Sequence, residues 1–149
     1  MGKKKKKEEV KIELEPRDLY YNDLKEYISE LIRSYVHLIP NVRLFLIHWM
    51  EEKENDKGSA FSVKYEPNSL AATFYIYDGL FDDIPDEGLT DGFKNYVKYC
   101  LAHEVGHCLI WELDGRPDIV EKTATIVGVL LMRLYEYEYE CESKKREGK

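Results

Sequence analysis

Apolar residues recur along this chain at two spacings, and the change from one to the other divides it into elements. From Arg17 to Ile39, the residues Leu24, Tyr27, Ile28, Leu31, Ile32, Tyr35 and Leu38 recur at steps of three and four. That spacing predicts an amphipathic helix, opened by Pro16 and ended by Pro40. Val42 to Met50 is dense in β-branched, aromatic and aliphatic residues and reads as a strand. Glu51 to Gly58 is a polar turn, and Ala60 to Tyr65 alternates and should pair back on the first strand as a hairpin. After the turn at Pro67-Asn68-Ser69, Ala71 to Tyr77 reads as a third strand. The expectation is a meander of three strands, mainly antiparallel.

Asp78 to Thr90 carries Gly79, Pro85 and Gly88 among Asp82, Asp83, Asp86 and Glu87, and is too irregular for an element. It reads either as a solvated acidic loop or as the rim of a site, and its spacing matches no EF-hand loop. Asp91 can cap a helix running to about Leu113, with Phe93, Val97, Cys100, Leu101, Val105, Cys108 and Leu109 on its core side. Tyr96 or Tyr99, with His103, His107 and Ile110, lines the other stripe. Gly106 weakens this helix, so its expected use is the close approach of another backbone. Gly115 suits the helix C-terminus, and Pro117 with Asp118 starts a last helix through Ile119, Ala124, Ile126, Val127, Val129, Leu130, Leu131 and Leu134 to about Glu140. The middle of that helix is apolar on most sides and is expected to be largely buried. The fold class is therefore α+β: a small domain over 16–141, flanked by a charged arm at 1–15 and a charged tail at 142–149.

Composition narrows the class. The chain has 149 residues, of which 44% are hydrophobic, enough for a single domain with a real core. No apolar run approaches the ~20 residues of a membrane span, and no apolar h-region follows the first lysines, so a cytoplasmic protein is expected. Formal net charge is −7, and five of the positive charges are Lys3–Lys7, so the rest of the chain stands at −12. An acidic body of this kind argues against dedicated nucleic-acid binding. Cys100, Cys108 and Cys141 form no C-x-x-C and no even set, which fits a reducing compartment. Charged residues make up 34% and glutamine is absent, a composition that leans towards a thermophile.

The candidate chemistry lies in His103-Glu104-Val105-Gly106-His107. Imidazoles four residues apart on a helix project from one face, so both can reach one zinc ion. Glu104 lies about 100° further round and can take a proton from a water on the metal. The plain alternative is two helical histidines satisfied by carbonyls, with Glu104 at the surface. Apolar flanks at helical spacing and a following helix with acidic residues near its start favour the metal. A catalytic zinc needs a third protein ligand. Glu121, on the first turns of the next helix, is best placed; Asp118 and Asp114 remain open, while Glu112 is too near on the same helix. A first-turn glutamate favoured by the helix dipole would also explain Glu121. His37, near a helix end, and His48, on a strand, read as surface and strand-face residues.

The five-residue motif, with Glu121-Lys122-Thr123-Ala124 on the following helix, resembles the zincin metallopeptidases, and within them the gluzincins. The order helix, strands, motif helix, second helix is similar to a zincin catalytic core. The small size is similar to the minigluzincins, and the E-x-x-A segment to the ImmA/IrrE-type peptidases. The resemblance implies zinc on His103, His107 and Glu121, with Glu104 as general base and then acid. Ile110 stands where metzincins have glycine. Thr125 stands where larger gluzincins carry an acid that orients a histidine, so that support is expected from elsewhere. No residue matches the family's oxyanion-stabilising Tyr or His. The function expected is zinc-dependent hydrolysis of a peptide or protein substrate, with Ala71 to Tyr77 as the edge to which an extended peptide adds. The alternative is a catalytically silent zinc-binding or interaction module of the same fold.

Overall fold

The computed structural model describes residues 13–51 and 58–148. The lysine run and most of the expected arm lie outside the described residues, as does the middle of the polar turn after Met50. Among the described residues the chain forms four helices and a three-stranded sheet, an α+β arrangement. No described helix is long and apolar enough to cross a membrane.

Helix α1 (Pro16–His37) starts at a proline whose fixed φ suits the first turn, and buries Leu24, Ile28, Leu31, Ile32, Tyr35 and Val36. His37 is exposed at its end. The strands are β1 (Leu44–Met50), β2 (Phe61–Glu66) and β3 (Ala71–Tyr77). The sheet corrects the expected meander. Its order is β1-β3-β2, with β1 parallel to β3 and β2 antiparallel to β3. The turn at Pro67–Leu70, closed by Leu70 at φ 52°, folds β2 directly onto β3 and fills one edge of that strand. β1 takes the other edge, fixed at its ends by Arg43 N–H donating to the Leu70 carbonyl and Asp78 N–H to that of Met50, each at 2.8 Å. β3 is therefore central, with Ala72, Phe74 and Ile76 buried, and the edges are β1 and β2. On β1, Phe45, Ile47 and Trp49 pack against the core, while His48 stands on the outer face against Tyr75.

The segment after β3 holds a short helix, α2 (Gly79–Asp82). Arg17 pairs with Asp78 and with Asp82, while Leu80, Phe81 and Ile84 are buried. Gly88, at φ 96°, takes the Tyr20 ring where a Cβ would stand. These contacts anchor the segment on α1, while Asp82, Asp83, Asp86 and Glu87 are exposed and none of its residues lines the cleft described below.

Helix α3 (Asp91–Leu109) is capped by the Thr90 hydroxyl, which accepts from Phe93 N–H, while Asp91 occupies the first helical position. It stops at Leu109, short of the expected Leu113. Helix α4 (Pro117–Glu147) continues past Glu140 to Glu147, taking in most of the expected tail. At ~1.5 Å per residue, its 31 residues span about 46 Å, against about 28 Å for the 19 of α3. Only Ala124, Gly128 and Leu131 of α4 are buried, which corrects the expectation of a largely buried helix. α4 packs along one face, and no described element covers the other.

Candidate metal centre

Helices α3 and α4 meet at two glycines. A Cβ on Gly106 would stand 2.5 Å from the Ala124 carbonyl oxygen, and one on Gly128 2.7 Å from that of Ala102. The two backbones are in contact there, the use expected for Gly106. The contact carries the first turns of α4 up to the imidazoles of α3.

At this seam His103 Nε2 lies 3.1 Å from His107 Nε2 and 3.0 Å from Glu121 Oε2, and His107 Nε2 lies 3.4 Å from Glu121 Oε1. Zinc bonds of ~2.0–2.1 Å at tetrahedral angles set neighbouring donors about 3.3 Å apart, so these spacings fit one such ion. His103, His107 and Glu121 are the group of donors that could hold a metal among the described residues. The helix dipole explains why a glutamate suits the start of α4; it does not explain a carboxylate turned onto two imidazoles. The competing third donors are elsewhere. Asp118 is paired with Arg116 at 2.7 Å, which holds its carboxyl below the ordinary value, and Asp114 is exposed in the connection.

Thr125, one turn beyond Glu121, corrects the expectation that support for a histidine comes from elsewhere. Its Oγ1 lies 3.0 Å from His103 Nδ1. With Nδ1–H donating to that hydroxyl, the lone pair of Nε2 is presented to the donor cluster. Burial draws the His107 imidazole below the ordinary histidine value; the Glu121 carboxylate opposes this and His103 adds to it. A neutral imidazole is the form that binds a metal. Burial pushes the Cys108 thiol up to about 12, and it also raises that of Cys100, so neither offers a ready thiolate. The donor set is two nitrogens and a carboxylate.

Beside the cluster lies a cleft of about 570 Å³. One wall is α3, with Tyr99, Cys100 and Glu104; the other is β2, from Phe61 to Val63 and at Tyr65. Of the Tyr96–Tyr99 alternative, Tyr99 faces the cleft. Tyr77 N–H donates to the Ala60 carbonyl at 3.0 Å, which makes that pair and every second pair along β2 the hydrogen-bonded ones. The backbone groups of Phe61, Val63 and Tyr65 therefore point away from β3. Ser59 Oγ satisfies those of Phe61, accepting from its N–H and donating to its carbonyl at 2.8 Å. Val63, whose backbone groups point away from β3, lines the cleft. The edge nearest the site is thus β2, not Ala71–Tyr77.

No protein-family model, curated protein or solved structure gives a significant match to the chain. The site stands on its own geometry.

Two contributors escaped the sequence reading. Asn41 anchors the end of α3, its Nδ2 donating to the Cys108 carbonyl at 2.7 Å, while the Tyr65 hydroxyl donates to the Asn41 carbonyl. Gly128 is the counterpart of Gly106, and the small residues Ala124 and Gly128 at i, i+4 were its available signal.

Proposed function

We propose that the chain is a zinc-dependent metallopeptidase of the gluzincin kind. What carries the reading is the meeting of two imidazoles and a carboxylate from neighbouring helices within 4.8 Å, beside a cleft that also holds Glu104. His103, His107 and Glu121 would hold the ion. When bound, zinc supplies Lewis acidity, polarising a carbonyl and lowering the pKa of a coordinated water towards ~7.

The chain's own groups account for the rest. The Glu104 carboxylate accepts a proton from the attacking water and delivers it to the leaving amine nitrogen. The Val63 N–H and C=O bind an extended peptide as an added strand along β2 and hold its backbone over the cleft. Thr125 fixes the His103 ring so that its Nε2 stays aimed at the ion.

The test is a digest of a mixed peptide library, with products read by mass spectrometry, by the zinc-loaded chain and by Glu104→Gln. Cleavage by the wild type, reduced at least ~100-fold in the variant with zinc retained, supports the proposal. Zinc bound by both and no cleavage by either would replace it with the silent zinc-binding module.

A further inference from the structure

The cleft extends past the metal donors along β2. Val63 and Tyr65 both line it, two residues apart and so about 7 Å apart along its wall. Against the Tyr65 ring stands Trp111, two residues past the end of α3, with ring centroids 5.9 Å apart and planes inclined by 55°. Trp111 is 45% exposed. A single exposed tryptophan is ordinary. This one stands beside a cleft on a partner that is itself fixed. The Tyr65 hydroxyl donates to the Asn41 carbonyl, and Asn41 Nδ2 donates to the Cys108 carbonyl at the end of α3. Trp111 lies within a turn closed by Leu113 N–H donating to the Ile110 carbonyl at 2.8 Å. Asn41 thus ties together the strand and the helix end that carry the two rings, and the pair is in place before any ligand binds.

We propose that Tyr65 and Trp111 form a specificity subsite for an aromatic side chain of the substrate, an inference that rests on the peptidase reading of the cleft. An extended peptide added along β2 sets its residues level with those of the strand, and paired residues carry their side chains on the same face. Faces alternate along each strand. The substrate residue level with Tyr65 is therefore two along from the one level with Val63, and its side chain lies on the same face as the Tyr65 ring. Two inclined rings offer a third both offset-stacked and edge-on contact. Tryptophan and tyrosine supply that contact with few rotatable bonds to fix, which is why they carry much of the energy at recognition sites.

The test is calorimetry on the zinc-loaded full chain bearing Glu104→Gln, with an Ala/Ser decapeptide carrying a central Phe and the same peptide carrying a central Ala. The Phe peptide should bind about 10-fold more tightly. Trp111→Ala, added to this chain, should bring that ratio to about 2 or below with zinc content unchanged, and Trp111→Phe should keep most of it. In a mixed-library digest by the wild type, aromatic residues should be enriched at one fixed distance from the cleaved bonds, and Trp111→Ala should remove the enrichment. A ratio near one before Trp111 is changed overturns the proposal, as does a ratio indifferent to Trp111→Ala or the failure of either peptide to bind at millimolar concentration. A central Arg that binds more tightly than Phe overturns the assignment to an aromatic side chain. A Phe preference that depends on Trp111, in a chain whose wild type cleaves nothing, supports the subsite and overturns the peptidase reading instead.

Discussion

Thr125 fixes the imidazole that the sequence motif only names. Its hydroxyl bonds His103 Nδ1, so the ring's rotation is set before any ion arrives. Thr125→Val keeps the shape of the side chain and removes that bond. Zinc affinity measured by competition with a chromophoric chelator should fall by about 10–100-fold, with the fold unchanged by circular dichroism. An unaltered affinity would show that the hydroxyl does not orient the ring. At this scale much of the site was legible. The i, i+4 histidines needed only helical geometry, and Glu121 needed only a short connection that returns the chain against the same helix. Thr125 was not legible as support, because a hydroxyl was not counted among groups able to hold an imidazole. Nothing in the local sequence says how α4 is rotated against α3.

Two features at the scale of elements bear on the site. One is the seam at Gly106 and Gly128, where neither helix has room for a Cβ. Gly128→Ala would meet the Ala102 carbonyl and push the helices apart, which overpacking prices at about 1–3 kcal/mol of stability. Because Glu121 and Thr125 ride on the displaced helix, zinc affinity should fall with stability; a chemical melt and a zinc titration on one sample check both. The other is the outward edge of β2. Val63→Pro removes the one outward donor proposed to bind substrate, at an edge position where proline is tolerated. KM for a cleaved peptide should rise while zinc affinity stays constant, and an unchanged KM would place the substrate elsewhere. The existence of the strands was legible from residue type and, in Ala60–Tyr65, from alternation, and their bounds to within two residues. Strand order was not, because alternation states which face is buried and is silent on which strand lies alongside. The turn at Pro67–Leu70 decided that β2 joins β3, leaving β1 to pair in parallel.

At the scale of the molecule, the acidic α+β domain presents the His103–His107–Glu121 cluster on one side of α4 and exposed apolar residues on the other. The apolar run of α4 was plain in the sequence, yet its burial did not follow from it. Hydrophobicity states that a face avoids water, not that the same chain covers it. The described residues supply a partner for the Ala124–Gly128–Leu131 face alone. Both surfaces depend on the same helix, so its registration against α3 is the central claim. Zinc titration with elemental analysis of the full chain tests it most directly, run on wild type, His103→Ala and Glu121→Ala. The account predicts a single tightly held zinc per chain in the wild type, and its loss in each variant with α4 still helical. Wild type without stoichiometric zinc, or Glu121→Ala binding it undiminished, would contradict the account.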